Sequence, residues 1–200
     1  MPHYFSEEQT SPFKINKIAA RLRGELFEFY TSSGVFSPNN IDRGTEILIN
    51  YLIIKEKWDI LDLGCGYGAV GIVIAKHFPK NRVIMADINK RAVKLSKMNL
   101  RLNNLINAEV RQGNLFETVK ENEKFDSILV NPPQTAGKKV CFEIIEKSKN
   151  YIKEKGLLQL VARHNIGGKE LSKKMKEVFG NVKDIAKKSG YRVYVSSKLL

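Results

Sequence analysis

From Trp58 onward the chain alternates short apolar runs with segments whose apolar residues recur at helical spacing. A short apolar run bounded by turn residues predicts a buried strand, and the helical spacing predicts an amphipathic helix. Strands that alternate with helices are typical of a doubly wound, largely parallel α/β sheet with right-handed crossovers. Because 200 residues suffice for one such domain with a substantial core, the pattern predicts a single Rossmann-like domain.

The predicted elements follow one another without a long linker or an internal repeat. Strands are predicted at 59–63, 82–86, 109–112, 126–130 and 157–162. Helices are predicted at 69–77, 90–102, 140–153 and 169–179. Two further strands, at 182–185 and 192–195, flank a turn at Ser189-Gly190, and they predict a C-terminal antiparallel hairpin that makes the sheet mixed.

Residues 1–40 are interpreted as an extension of the main domain, which spans 41–200. The first dozen residues are expected to be a loose arm, and a short β-hairpin that turns at Gly24 follows. At the start of the domain, Asp42 is expected to cap a helix. The apolar face of this helix is expected to carry Ile47, Leu48, Tyr51 and Leu52.

The strand at 126–130 ends at Asn131-Pro132-Pro133-Gln134. Proline has no backbone N–H and a fixed φ, so the two prolines cannot continue a central strand, and Asn131 is held extended at its carboxyl end. Ligands of open α/β sheets bind at that end. The Asn131 side-chain oxygen and the Pro132 carbonyl can together accept both hydrogens of a planar amine. The alternative is a proline-terminated strand without a chemical role.

The first strand runs into a glycine-rich loop, Gly64-Cys65-Gly66-Tyr67-Gly68. Glycine allows a tight turn and the close approach of a ligand to the backbone. The spacing differs from the G-x-G-x-x-G of dinucleotide binders, and no G-K-[ST] follows as in a phosphate loop. Asp62 suits a cationic group such as an ammonium, although it can instead hold the loop through backbone N–H groups.

Asp87 ends the second strand, 19 residues after Gly68. An acidic side chain at that place can accept both hydroxyls of a ribose, and Ile88 beside it can cover one face of an adenine. The alternative for Asp87 is a cap on the helix that begins at Lys90. Together with Asp62 and the glycine loop, Asp87 predicts a pocket for a nucleoside cofactor.

The net charge of +13 is unevenly distributed. Residues 138–200 contain 16 Lys plus Arg against 6 Asp plus Glu, whereas residues 1–137 contain 18 against 15. Such an excess favours a polyanionic partner through phosphate contacts and counterion release. The alternative is a lysine-rich solvated surface of the kind seen in heat-adapted proteins.

The two cysteines, Cys65 and Cys141, occur without a secretory signal, which predicts a reduced, cytoplasmic chain. No apolar run approaches the roughly 18 residues needed to span a bilayer. Three scattered histidines without close cysteines give no support to a metal site.

These motifs resemble those of the class I S-adenosylmethionine-dependent methyltransferases. Residues 62–68 are similar to the first motif of that family, Asp87 to its ribose-binding acid, and residues 131–134 to its fourth motif, usually N/D-P-P-Y/F. The resemblance implies S-adenosyl-L-methionine as the cofactor. It implies as cofactor-binding residues Thr45, Asp62, Gly64, Cys65, Gly66, Asp87, Ile88, Asn114, Leu115 and Asn131, and as catalytic residues Asn131, Pro132 and Pro133.

More narrowly, residues 34–37 and 42–45 resemble the lead-in of small-domain methyltransferases related to bacterial ribosomal RNA guanine-N2 enzymes. Short archaeal members share the hairpin and the ending Gly190-Tyr191-Arg192-Val193, and they include enzymes that methylate cytidine N4 in small-subunit ribosomal RNA. The resemblance implies RNA, and ribosomal RNA of the small subunit in particular, as the partner. Because bacterial relatives carry two such domains in one chain, a homodimer is a further expectation.

The chain departs from the family at two positions. Asn114 replaces an aspartate that contacts the adenine amine, and its oxygen still accepts that hydrogen bond. Gln134 replaces the aromatic residue that stacks on the target base, so Phe36 is expected to hold the base instead. Basic residues expected near the mouth of the pocket, where they can hold RNA phosphates, are Lys138, Lys139, Arg163, Lys169, Lys173 and Lys174.

The sequence thus favours methylation of an exocyclic base amine in RNA, with cytidine N4 placed ahead of guanine N2 on the archaeal resemblance. A protein glutamine amide, an adenine in DNA, and a binding module without catalysis are the alternatives. No catalytic histidine is required, so His164 is interpreted as structural or RNA-facing, and Cys65 is expected to pack within the glycine loop.

Overall fold

The computed structural model describes residues 3–133 and 137–199. The strands are β1 (Ile15–Leu22), β2 (Glu25–Ser32), β3 (Asp59–Leu63), β4 (Arg82–Asp87), β5 (Ala108–Gln112), β6 (Phe125–Val130), β7 (Ile152–Arg163), β8 (Lys183–Lys188) and β9 (Tyr191–Ser197). The helices are α1 (Arg43–Tyr51), α2 (Ala69–His77), α3 (Lys90–Leu102), α4 (Lys138–Tyr151) and α5 (Lys169–Phe179). Among the helices of these described ranges, none has the length and apolar character to cross a membrane.

Seven strands form one sheet in the order β5-β4-β3-β6-β7-β9-β8, and β1 pairs with β2 in a separate antiparallel hairpin. The pairs among β3 to β7 are parallel, whereas β9 runs antiparallel to both of its neighbours. The predicted doubly wound sheet, its C-terminal hairpin and the N-terminal hairpin are therefore confirmed. The position of β9, inserted between β7 and β8, is a property of the tertiary structure that no local pattern predicts.

Three predicted helices, at 69–77, 90–102 and 169–179, agree with α2, α3 and α5. The helix predicted at 140–153 instead ends at Tyr151, so the prediction is wrong at its end. The reason is that Ile152 is fully buried and pairs with Phe125 of β6, which draws the chain into the sheet. Lys153 follows in the strand, where its ammonium lies 2.8 Å from the Asp126 carboxylate.

The core lies on both faces of the sheet, because successive strand residues point to opposite sides. Ile60 and Met85 face the cluster beneath α1, α2, α3 and the hairpin. Leu61 and Ile84, their neighbours in sequence, face the cluster beneath α4 and α5. This two-sided burial explains why the central strands are almost wholly apolar.

The carboxyl ends of β3 and β6 meet at the point where the strand order reverses. From β3 the chain moves outward to β4 and β5, then returns to place β6 on the other side of β3. Such a switch point opens a crevice at the carboxyl edge of the sheet. Gly64 follows β3 and Asn131 follows β6, so the two predicted motifs meet at this crevice.

The N-terminal arm packs along the first turn of α3. The Asn89 side-chain amide donates to the Tyr4 carbonyl at 2.7 Å, and the Arg91 guanidinium donates to the Ser11 carbonyl at 2.6 Å. The prediction of a loose arm is therefore wrong for the part that the structure describes, because polar groups of α3 satisfy the arm's backbone. Tyr51 is also misassigned to the apolar face of α1, since 43% of its surface is exposed.

The hairpin joins the core through buried Asn99 of α3. The Asn99 amide accepts from the Tyr30 backbone N–H at 2.6 Å and donates to the carbonyls of Tyr30 and Tyr67, each at 2.9 Å. Because Tyr67 belongs to the glycine loop, one asparagine ties the extension to that loop. The domain division at residue 40 stays a prediction.

Candidate functional site

The glycine loop lies at the crevice, and the space beside its backbone is free for a ligand. Gly64 and Gly66 have φ values of +74° and +58°, in the left-handed region that favours glycine. A Cβ atom built on either residue would meet no heavy atom within 4 Å, so a ligand can lie directly against the loop there. The backbone N–H groups of Gly64 and Cys65 donate to the Ala86 carbonyl at 2.8 and 3.0 Å, which anchors the loop to β4.

Asp62 is a buried carboxyl beneath this loop, with 3% of its surface exposed. Its Oδ2 accepts from the Gly71 backbone N–H at 2.9 Å. Burial raises the pKa of Asp62 to about 7, although the Gly71 hydrogen bond opposes the increase. Such a carboxyl gains from a cationic ligand, because a positive charge nearby would stabilise its ionised form.

Asp87 connects the glycine loop to the start of α3. Its Oδ2 accepts from the Gly66 N–H and its Oδ1 from the Asn89 N–H, both at 2.8 Å. Burial raises the pKa of Asp87 to about 6, against the effect of these bonds. The cap of α3 is Asn89, whose side-chain oxygen accepts from Arg91 and Ala92 at 2.9 and 3.3 Å. Capping is thus not the role of Asp87, and its carboxylate oxygens keep lone pairs for a ligand.

Asn131 is oriented by the first turn of α1. Its side-chain nitrogen donates to Asp42 Oδ2 at 3.1 Å and to Thr45 Oγ1 at 2.9 Å. A carboxylate can only accept, so the atom that faces Asp42 must be the nitrogen of the amide. The Asn131 oxygen is consequently the atom left for a ligand in the crevice.

Asp42 therefore has two roles, of which the sequence predicted only one. It caps α1 as predicted, by accepting from the Thr45 backbone N–H at 2.9 Å, and the same oxygen receives the Asn131 amide. Asp42 and Asn131 are 89 residues apart in the chain. The available signal was the Asp-x-x-Thr spacing, which puts Thr45 in the first turn beside the cap.

A cavity of about 270 Å³ brings most of the predicted residues together. Predicted residues that line it are Phe36, Gly64, Gly66, Asp87, Ile88, Asn114, Leu115, Asn131, Pro132 and Pro133. A smaller adjoining pocket shares Phe36, Gly64, Gly66 and Asn131 with it and is also lined by Thr45, Asp62 and Cys65. Gln134 lies outside the described residues.

Two aromatic residues of the arm, Tyr4 and Phe5, line the same cavity and were missed by the sequence analysis. The signal was present: His3, Tyr4 and Phe5 are three consecutive rings at the head of an otherwise polar segment. No spacing rule connects such a cluster to a cavity whose other lining residues begin at Phe36 and extend to Ile144.

Cys65 and His164 both lie outside the lining of the larger cavity, and Cys65 lines only the smaller pocket. The Cys65 thiol is buried, and burial raises its pKa, so it stays protonated and packs within the loop as predicted. His164 Nδ1 lies 2.7 Å from the Tyr194 hydroxyl, and His164 lines neither pocket. Among the residues that the structure describes, no cluster of histidine, cysteine and acidic side chains could hold a metal ion.

The predicted basic residues lie on the surface rather than in the cavity. Arg163 donates to the Tyr191 hydroxyl at 2.9 Å, and the Lys138 ammonium lies 3.7 Å from Glu170. Lys174 pairs with Glu146 at 2.6 Å and with Glu177 at 2.9 Å, so its charge is balanced within the protein. Lys139, Lys169 and Lys173 are exposed. Arg163 and Lys138 stay predictions as RNA contacts.

Comparison with known proteins identifies relatives across nearly the whole chain. The family model described as "Methyltransferase small domain" matches residues 26–195. The uncharacterized protein YbxB of Bacillus subtilis is 38% identical over 98% of both chains. The "Ribosomal RNA small subunit methyltransferase C" of Escherichia coli is 30% identical over 96% of this chain, and that of Haemophilus influenzae 29% identical over the same share. The chain spans only 55% and 58% of those two proteins.

Solved structures share the fold. A T. thermophilus 16S rRNA N2 G1207 methyltransferase, solved with AdoMet and guanosine, superposes with a TM-score of 0.84 at 24% identity. The match covers 94% of this chain and 51% of that one. A methyltransferase from Pyrococcus furiosus gives a TM-score of 0.65 at 20% identity, over 74% of this chain and 78% of its own.

Proposed function

This chain belongs to the methyltransferase small-domain family, and we propose that it methylates the exocyclic amine of a base in ribosomal RNA. S-adenosyl-L-methionine is the methyl donor. The observation that carries the proposal is the orientation of Asn131, whose amide nitrogen is held by Asp42 and Thr45 at the edge of the donor cavity. This arrangement leaves one fixed acceptor oxygen where a planar amine needs it.

The cavity residues fit the donor. Asp87 offers carboxylate oxygens to the ribose hydroxyls, and Ile88 and Leu115 provide apolar walls for the adenine. The open backbone at Gly64 and Gly66 admits the ligand, and buried Asp62 favours its ammonium group. When bound, the donor supplies an electrophilic methyl group on a sulfonium.

Asn131 and Pro132 act on the acceptor amine. The lone pair of an exocyclic base amine is delocalised into the ring, so the amine is a poor nucleophile. If the Asn131 oxygen and the Pro132 carbonyl accept its two hydrogens, the nitrogen moves towards tetrahedral geometry and its lone pair becomes available. The protein thereby contributes positioning and charge complementarity rather than a strong base. The proton leaves after methylation, when the nitrogen is acidic.

Ribosomal RNA as the substrate is supported by two observations. The relatives from Escherichia coli and Haemophilus influenzae are named for the small ribosomal subunit RNA. The excess of positive charge from residue 138 onward also suits an RNA polyanion.

The preference for cytidine N4 over guanine N2 is not confirmed, nor is the archaeal closeness. We place guanine N2 first, because the T. thermophilus methyltransferase that shares this fold is named for methylation of a guanine at N2.

Nucleoside analysis tests the proposal directly. The purified chain and methyl-labelled donor are incubated with small ribosomal subunits from cells lacking the protein, and the RNA and the ribosomal proteins are then separated and digested. We expect label in N2-methylguanosine by mass spectrometry. Label in N4-methylcytidine would overturn the choice of base. Label recovered in ribosomal protein as N5-methylglutamine would overturn RNA as the substrate. A cytoplasmic location and a homodimer stay predictions.

Donor binding is expected to weaken as the pH falls from 8 to 5. With pKa values raised to about 7 and about 6, Asp62 and Asp87 are mostly ionised in the free protein at pH 8 and take up protons as the pH falls to 5. A ligand ammonium favours the ionised carboxyl, so binding below pH 7 must release a proton, and affinity falls by up to about tenfold per pH unit.

Calorimetry at pH 6 in two buffers of different ionisation enthalpy counts the released protons. We expect about one proton in the wild type and fewer in Asp62→Asn, whose amide keeps an acceptor for the Gly71 N–H. Equal proton counts in the two proteins would rule out Asp62 as the titrating group.

Asp42→Ala is expected to lower kcat about tenfold or more and to change donor affinity much less, because Asn131 loses its charged hydrogen-bond acceptor. The conservative variant Asp42→Asn keeps an oxygen for both Thr45 and Asn131, so it should restore most of the activity. Single-turnover rates at saturating donor measure the effect. Equal losses in the two variants would show that the negative charge matters rather than the orientation of Asn131.

A further inference from the structure

Aromatic rings of the arm and Phe36 form a row beside the cavity. The rings of Phe36 and Tyr4 are 5.1 Å apart between centroids, those of Tyr4 and Phe5 are 5.2 Å apart, and Phe5 stacks on His3 at 4.8 Å. Tyr4, Phe5 and Phe36 all line the cavity. Aromatic faces at such a place can stack on a nucleobase whatever its identity.

The arm is attached on the side of the cavity that holds Asp87. Buried Asn89 donates through its side chain to the Tyr4 carbonyl at 2.7 Å and to the Gly34 carbonyl at 2.8 Å. The backbone N–H of the same residue donates to Asp87 Oδ1 at 2.8 Å. One asparagine therefore joins the backbone of Tyr4 to the carboxylate assigned to the donor's ribose.

Further polar contacts hold the arm. The Arg91 guanidinium donates to the Ser11 carbonyl at 2.6 Å in a partly buried position, and other contacts are exposed. The Lys90 ammonium lies 3.1 Å from Glu7 and also pairs with Glu8, and all three side chains are at least half exposed. Exposed ion pairs contribute little to stability. No residue between 3 and 11 is fully buried. The described part of the arm is thus attached by surface and partly buried polar contacts and buries no residue of its own completely, so it can detach without opening the core of the domain.

We propose that Tyr4 and Phe5 are donor-binding residues, and that residues 3–11 close over bound S-adenosyl-L-methionine and detach for its exchange. The inference rests on the proposed function, since it concerns the same cavity. The arm's attachment through Asn89 and Asp87 assigns these two rings to the donor, whereas Phe36 also lines the smaller pocket beside Asn131.

The test measures binding of S-adenosylhomocysteine, which cannot react, to the full chain. Calorimetry gives Kd and stopped-flow mixing gives the dissociation rate. We expect Phe5→Ala and Tyr4→Ala to raise Kd on the order of tenfold, mainly through faster dissociation, since stacking on an aromatic ring stabilises a bound base to that degree. The melting temperature of the ligand-free protein should stay unchanged, because the rings are not part of the buried core.

Phe13→Ala is the matched control. Phe13 follows the same arm, is 38% exposed, and packs against Lys94 and Arg91, with the Lys94 ammonium 4.5 Å from its ring centre. It lines neither pocket. Its removal should leave Kd unchanged. A loss of affinity equal to that of Phe5→Ala would indicate a general effect of disturbing the arm and would overturn the assignment of the two rings.

Hydrogen exchange provides an independent measurement. In the wild type, amides of residues 3–11 should become more protected when S-adenosylhomocysteine binds. Unchanged protection, or an unchanged Kd in both ring variants together with a raised KM for RNA, would overturn the inference and assign the rings to the acceptor. If the wild type does not bind S-adenosylhomocysteine at all, the proposed function fails instead.

Discussion

Replacing Asn131 with alanine is expected to reduce kcat by about 10²–10³-fold while leaving the affinity for S-adenosyl-L-methionine largely intact. Removal of one preorganised hydrogen-bonding group that acts on the reacting atoms has effects of this size in other enzymes. The Asn131 oxygen contacts the acceptor amine in the proposed mechanism, whereas the donor is held chiefly by Asp87 and the glycine loop. Turnover should therefore fall at every donor concentration.

Single-turnover transfer to ribosomal RNA, with donor binding measured in parallel, separates the two effects. Asn114→Ala is the matched control, because Asn114 is a second asparagine of the same cavity and is predicted to contact the adenine. It should weaken donor binding and spare kcat at saturating donor. Turnover near the wild-type value in Asn131→Ala would refute the role of its oxygen.

Asp87→Ala is expected to raise the Kd of the donor by about 100-fold or more. Hydrogen bonds to a charged group contribute about 1.5–3 kcal/mol each, and Asp87 is assigned two ribose hydroxyls. The same carboxylate also accepts from the Gly66 and Asn89 backbones, so its loss loosens the glycine loop. At saturating donor, kcat should change much less, because Asp87 does not contact the acceptor.

Calorimetric titration with the donor measures this loss of affinity. The variant Asp87→Asn provides an intermediate case. The asparagine keeps one acceptor oxygen, so its Kd should lie between those of the wild type and Asp87→Ala. The melting temperature of each ligand-free variant reports on the loop's contribution to folding. A fall in kcat with an unchanged Kd would show that Asp87 acts on the reaction and not on donor binding.

The local signals in the sequence were sufficient for the elements and for most of the cavity lining. Apolar periodicity located α2, α3 and α5 at their observed limits, because burial of one helix face depends on spacing within a single segment. Pro132 and Pro133 marked the end of β6, since proline restricts the backbone wherever it occurs. The glycine loop and Asp87 follow neighbouring parallel strands, and the carboxyl ends of such strands meet at one edge.

Only the tertiary structure decided which distant segments of the chain are in contact. Asp42 orients Asn131 although 89 residues separate them, because the first turn of α1 lies beside the end of β6. Tyr4 reaches the cavity because Asn89 binds its carbonyl, and Lys174 is paired because α4 and α5 pack together. The sequence alone determined the elements, the motifs and the chemistry they favour. Which side chains meet depended on strand order and helix packing, because hydrogen bonds and ion pairs require atoms within about 3–4 Å, and no local periodicity sets that distance.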